Sequence, residues 1–183
     1  MTGSTPSLEE LLMGLPTDSR QLADIYQVLS RRLAGMVRAA GVPDSDVADV
    51  LQLVFIDVWR FAGRFEPERG SAEAWIFKIA RHKIVDHQRR MARRNKIQQS
   101  LQTVASESDG FDPDPFPGSE LDDLWDRVSP DERQVLILTY YYGFTQKEIA
   151  RLQRVPIGTV KSRATRGIEK MRRARTSKEQ RES

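Results

Sequence analysis

The stretch Thr145-Gln146-Lys147-Glu148-Ile149-Ala150-Arg151-Leu152-Gln153-Arg154-Val155-Pro156-Ile157-Gly158-Thr159-Val160-Lys161-Ser162-Arg163 decides the architecture of this chain. Thr145 with Glu148 three residues later is a capping box, in which hydroxyl and carboxylate each take one of the orphan N–H groups at a helix start. A short helix therefore runs through Ile149, Ala150 and Leu152, and a longer one follows Pro156, from about Gly158 to Arg175. Two helices joined by a turn of about four residues, the second of them basic, have the plan of a helix-turn-helix. On the second helix Ile157, Val160, Ala164, Ile168 and Met171 recur at spacings of three and four, which turns them toward a core. Lys161, Ser162, Thr165 and Arg166 then lie on the opposite side, near the end that meets base edges in a major groove. Arg and Lys suit guanine acceptors or phosphates, and Ser and Thr can serve either. Arg163, Lys170, Arg172 and Arg173 are better placed for phosphates. Taken without the capped helix before it, the same pattern would also describe an ordinary amphipathic surface helix.

On the N-terminal side, Ser129-Pro130-Asp131-Glu132 starts another helix, with Ser as N-cap, Pro at the first position and Glu three residues after the cap. Val135, Leu136 and Leu138 form its apolar side, and Gly143 is a C-terminal stop. Upstream, Phe111-Asp112-Pro113-Asp114-Pro115-Phe116-Pro117-Gly118 has prolines at alternate positions among acids, the composition of an extended linker. Before it, Leu22, Ile25, Tyr26, Leu29, Leu33 and Val37 mark a helix over Gln21–Ala40, ended by Gly41-Val42-Pro43. Ser45 or Asp46 can cap the next, striped with Val47, Val50, Leu51, Val54, Phe55 and Val58. A third runs from about Ser71 through Trp75, Ile76, Ile79, Ala80, Ile84 and Val85 and becomes strongly basic. The sequence contains no segment of β period. The expectation is an all-α protein of two small helical domains, 20–96 and 121–176, joined by a flexible acidic linker over 97–120. Residues 1–19 and 177–183 are expected to be flexible tails.

Charge divides the same way. Seven Lys/Arg and one acid lie between Arg81 and Lys96, nine Lys/Arg and one acid between Arg151 and Arg175. From Ile97 to Asp126 there are eight acids and no Lys or Arg, so a net charge of +3 conceals two basic blocks around an acidic one. Two basic blocks suit two surfaces for a polyanion, although solvated helix faces would show similar charge. With no cysteine, disulfides and thiolate metal sites are excluded. No apolar run approaches the roughly 20 residues that span a bilayer, and the N-terminus lacks the layout of a signal peptide. A cytoplasmic protein without direct membrane contact is expected.

Three runs carry a family resemblance: Ser129 to Leu136, Gly143 to Ala150, and Pro156 to Arg163. With their spacing, they resemble region 4 of the extracytoplasmic-function (ECF) subfamily of bacterial sigma-70 factors. Asp49-Val50-Leu51-Gln52-Leu53-Val54-Phe55 and Val58-Trp59-Arg60 resemble the region 2 helix that docks on the clamp coiled coil of RNA polymerase. The resemblance assigns polymerase contact to Asp49, Gln52, Phe55 and Trp59, although by residue type Phe55 and Trp59 fit core packing better, and Asp49 and Gln52 would also suit plain solvated surface. The run from Gly70 to Arg90 resembles the segment that opens and reads the minus-ten element. There the resemblance assigns DNA contact to Arg81, His82, Lys83, Asp86, Arg89 and Arg90, with Arg93 and Arg94 extending the groove. Trp75, among apolar neighbours, reads as core rather than as a stacking platform. In region 4 it assigns minus-thirty-five duplex contact to Lys161, Ser162, Arg163, Thr165 and Arg166. The family usually has Gly where Arg154 stands and an aliphatic residue where Gln153 stands. It usually has acids at the places of Leu53 and Ala48, and many members have Asn at the place of His82.

The resemblance implies a dissociable initiation subunit. Its partners would be the beta and beta-prime subunits of core polymerase, promoter DNA and an anti-sigma factor, with no cofactor. His82 and Asp86 are one helical turn apart, but His87 points elsewhere and no third metal ligand is evident. No nucleophile–base set or phosphate-binding glycine loop is present, so no catalytic function is expected. The rival readings are a stand-alone helix-turn-helix regulator, which gives residues 46–90 no task, and an interaction protein such as an adaptor, which the basic blocks disfavour.

Overall fold

A computed structural model of the chain describes residues 6–98 and 122–179. The described residues are helical in every regular element and fall into two compact units. The first contains α1 (Leu8–Gly14), α2 (Gln21–Ala39), α3 (Asp44–Phe61) and α4 (Ala72–Gln98). The second contains α5 (Asp122–Trp125), α6 (Pro130–Leu136), α7 (Gln146–Leu152) and α8 (Ile157–Glu179). α4 and α8 run two and three residues past the expected domain ends at 96 and 176. The expected linker lies outside the described residues except for α4's last two, and so does the final tail past Glu179.

In the first unit the apolar stripes meet as their periodicity requires. Ile25, Leu29, Leu33, Met36 and Val37 of α2 are buried with Val47, Val50, Leu51, Val54, Phe55 and Val58 of α3. From α4 the buried set is Ala72, Ile76, Phe77, Ala80 and Ile84. Gly41 takes a left-handed backbone at φ 76°, as a glycine just past a helix end commonly does. α3 starts at Asp44 without a side-chain cap; Ser45 instead donates to the Asp46 carboxylate at 2.9 Å, so neither residue caps it as expected. Ion pairs then fasten the helices. Arg32 of α2 forms a two-pronged bond to Glu73 of α4 (2.6 and 2.8 Å). Lys83 of α4 meets Asp57 of α3 at 2.6 Å.

The expectation for residues 1–19 is overturned at α1. Ser7 and Glu10 form a capping box, and Leu11, Leu12 and Leu15 are buried. Glu9 accepts from the N–H of Ala72 at 3.2 Å, so α1 satisfies an orphan donor at the start of α4. The physical reason is burial. Seven residues are too few to form a helix alone, but three leucines driven against α4 hold them.

In the second unit both expected capping boxes are present, at Ser129/Glu132 and at Thr145/Glu148. α6 ends earlier than its apolar run, which continues as a π-helical turn over Ile137–Tyr141 before Gly143 (φ 69°) closes it. Val135, Leu136, Ile137, Leu138, Ile149, Leu152, Val160 and Ala164 make the core. Gly167 lets α8 pack closely on α6: a Cβ there would meet Leu136 Cδ1 at 2.8 Å and Glu132 Cβ at 3.4 Å.

Candidate nucleic-acid interface

On α8 the core is built by Val160, Ala164 and Gly167, with Ile168 and Met171 half-buried. Ile157, expected inside, is exposed at the first turn. Lys161, Ser162, Thr165 and Arg166 are all exposed and share one face, since 161, 165 and 162, 166 are each one turn apart. Arg163 is different. It is half-buried, pairs with Asp131 at the start of α6, and donates to Gln153 Oε1 at 3.2 Å. The side chain assigned to duplex contact is thus enlisted in holding α8 to α6. Gln153 in turn donates to Gln134 at 3.0 Å, so this residue, polar where an aliphatic one is usual, completes a chain from α6 through the turn to α8. Lys170, assigned to phosphate, donates to Glu132 at 2.7 Å. Arg172 and Arg173 stay exposed on the same face as the quartet.

The turn between α7 and α8 contains no glycine and still includes a left-handed residue. Arg154 adopts φ 54°, a left-handed backbone that costs an L-residue about 1–2 kcal/mol. Relieving it should stabilise the unit. Arg154→Gly is expected to raise stability by about 1 kcal/mol, net of the entropy glycine adds to the unfolded chain, with no loss of helix content. Urea unfolding followed by circular dichroism checks this, and a lower midpoint would show that the turn is not strained.

In the first unit the minus-ten candidates on α4 divide. His82, Asp86, Arg89 and Arg90 are exposed, as are Arg93 and Arg94. Arg81 and Lys83 are half-buried, and Lys83 is engaged by Asp57. Arg89 lies 3.4 Å from Asp86. Trp75 is half-buried and packs edge-on against Phe65, ring centroids 5.9 Å apart. His82 and His87 occupy different faces, the second turned to Asp46.

The polymerase candidates on α3 also divide. Asp49 and Gln52 are exposed, and so is Trp59, at 54%. Phe55 is buried at 6% and packs on Tyr26 with centroids 4.9 Å apart, so it belongs to the core and is not presented to a partner. Ile56, 47% exposed, completes the outward stripe Asp49, Gln52, Ile56, Trp59. The sequence reading missed it. The signal was present: Ile56 falls outside the buried 47/50/51/54/55/58 set and cannot point inward on the same helix.

The chain matches two family models, Sigma-70 region 2 over residues 21–94 and Sigma-70 region 4 over residues 119–171. It is similar to the ECF RNA polymerase sigma factor RpoE of Cereibacter sphaeroides, 26% identical over 157 residues, covering 85% of this chain and 86% of the relative. It is also similar to the ECF RNA polymerase sigma factor SigK of Mycobacterium tuberculosis, 25% identical over 160 residues with the same coverage of each. Among solved structures, RpoE of Bartonella quintana, crystallised with the anti-sigma factor NepR, is 24% identical with a TM-score of 0.45, covering 84% of this chain and 97% of that one. With both helical regions matched in the order expected and curated relatives aligned along most of their length, the chain belongs to the sigma-70 family and is a sigma factor of the ECF subfamily.

Proposed function

We propose that this sigma factor binds core RNA polymerase through the α3 stripe of Asp49, Gln52, Ile56 and Trp59. Its α8 quartet Lys161, Ser162, Thr165 and Arg166 reads the minus-thirty-five duplex. His82, Asp86, Arg89 and Arg90 of α4 meet the minus-ten strand once it is melted, where a basic groove holds the backbone of unpaired DNA. The observation that carries the reading is the coexistence of an exposed aromatic and aliphatic stripe on α3 with an exposed base-reading face on α8. A stand-alone duplex regulator needs only the second. Tethering the two units makes the second DNA contact effectively intramolecular, so each can be weak alone. An anti-sigma factor covering the α3 stripe would compete with polymerase for the same apolar surface. Among the described residues no helix is long and apolar enough to cross a membrane, and the site of action is taken as the cytoplasm, where polymerase is. The chain acts by binding, while polymerase supplies the chemistry.

Run-off transcription with purified bacterial core polymerase on a genomic fragment library tests the whole reading. Protein-dependent starts sharing two spaced upstream elements are expected; no new starts, with no co-elution with core, would return the chain to duplex binding alone. Within it, Lys161→Ala is expected to weaken promoter binding by about 1–3 kcal/mol if Lys161 meets a base, without altering stability. Unchanged affinity and unchanged salt dependence would remove Lys161 from the DNA face.

A further inference from the structure

The recognition helix is held from behind by two acids in the first turn of α6. Asp131 takes Arg163, and Glu132 takes Lys170 and Arg166. Glu132 is the single buried charged residue among the described residues, at 4% exposure. Its Oε2 accepts from Lys170 Nζ at 2.7 Å and from the N–H of Ser129 at 3.1 Å. Its Oε1 lies 3.5 Å from Nε of Arg166. The Lys170 hydrogen bond, followed by those of Ser129, holds the carboxyl below the usual glutamate range despite burial, so it is charged at neutral pH.

This carboxylate is fixed in place by the helix cap it completes and by Lys170. Gly167, next to Arg166, lets α8 approach Glu132 closely enough for the second oxygen to reach the guanidinium. The Arg166 side chain is nevertheless 60% exposed, so the rest of its fork faces solvent. A guanidinium is a rigid plane of five donors. The ion pair to Glu132 is made at Nε, which leaves the two terminal nitrogens of the fork, and they match the O6 and N7 acceptors of a guanine edge. Lys170 offsets the charge of the carboxylate, so the acid behind the reading face does not repel the duplex.

We propose that Glu132 is a positioning residue for promoter reading: it holds Arg166 by Nε so that the terminal nitrogens are preset for a guanine of the minus-thirty-five element. This rests on the recognition-helix reading above. A preset fork loses less freedom on contact than a free side chain, and wrong bases then meet donors that cannot turn to suit them.

The test uses full-length protein with core polymerase on promoters randomised at each minus-thirty-five position, comparing wild type, Glu132→Gln, Arg166→Ala and the double variant. Arg166→Ala is expected to lower guanine preference at one position by about tenfold or more. Glu132→Gln should lower preference at that position by several fold, leave the others unchanged, and add nothing in the Arg166→Ala background. A Glu132→Gln effect spread over all positions, or persisting undiminished without Arg166, overturns the proposal and leaves Glu132 a structural clamp. No Arg166→Ala effect at any position overturns the recognition role of Arg166, and with it the positioning role. Should Glu132→Gln lose helix content, Lys170→Met takes its place: it leaves Arg166 as the remaining cation of Glu132. Retained or sharper guanine preference is then expected, and loss of that preference overturns the proposal.

Discussion

Phe55→Ala is expected to destabilise the first unit by about 3–5 kcal/mol, whereas Trp59→Ala, one helical turn on, leaves it folded and weakens polymerase binding. The two residues differ in what surrounds them. Phe55 is 6% exposed and packed on Tyr26, so truncation leaves a cavity in the seam between α2 and α3. Trp59 is 54% exposed beside Ile56, so truncation removes little that the fold uses. As an aromatic anchor of the proposed interface, its loss should cost about 2 kcal/mol or more of affinity, roughly 30-fold. Urea unfolding by circular dichroism and titration of fluorescently labelled core polymerase separate the effects. Equal stability losses in the two variants would show that Trp59 is core after all. Undiminished polymerase affinity in a folded Trp59→Ala would remove the α3 stripe from the interface. For Phe55→Ala, any fall in polymerase binding should track the unfolded fraction, as it does for a residue that shapes the surface without touching the partner.

Leu12→Ala is expected to cost about 2–5 kcal/mol, an effect that a fraying tail could not produce. Leu12 is fully buried, with Leu11 and Leu15 beside it, and α1 reaches the start of α4 through Glu9. Deleting residues 1–15 should therefore lower the unfolding midpoint of the first unit at least as much, and expose the first N–H groups of α4, the helix that carries the minus-ten candidates. An unchanged midpoint in both variants would return α1 to the status of a loose segment. Because α1 docks at the first turn of α4, about two and a half turns or more before His82, Arg89 and Arg90, the expected consequence for promoter melting is indirect, through the stability of the helix.

The helices from Gln21 onward were legible because their stripes are long. Val47, Val50, Leu51, Val54, Phe55 and Val58 were all read as inward and all are buried. The capping boxes at Ser129 and Thr145 were legible because they are local, each made by a side chain and a backbone group three residues apart. The matching box at Ser7 and Glu10 carries the same signal but was lost in Ser-, Pro- and Gly-rich sequence, since α1 is too short to show a period.

At the candidate interface, periodicity alone is enough to say which residue types and which helix faces are available: basic and hydroxyl side chains at 161, 162, 165 and 166, opposite an apolar stripe. It follows from the rise and turn of a single element. Which cations are left for DNA depends on how the helices pack. Arg163, Lys170 and Lys83 are basic in sequence just as Lys161 is, yet each is closely paired with an acid on another helix, Asp131, Glu132 and Asp57. Arg166 meets Glu132 only at 3.5 Å and keeps its side chain 60% exposed. Pairing of this kind depends on the distance between helices, which side-chain volume and the close approach at Gly167 set. No one-dimensional pattern contains that distance.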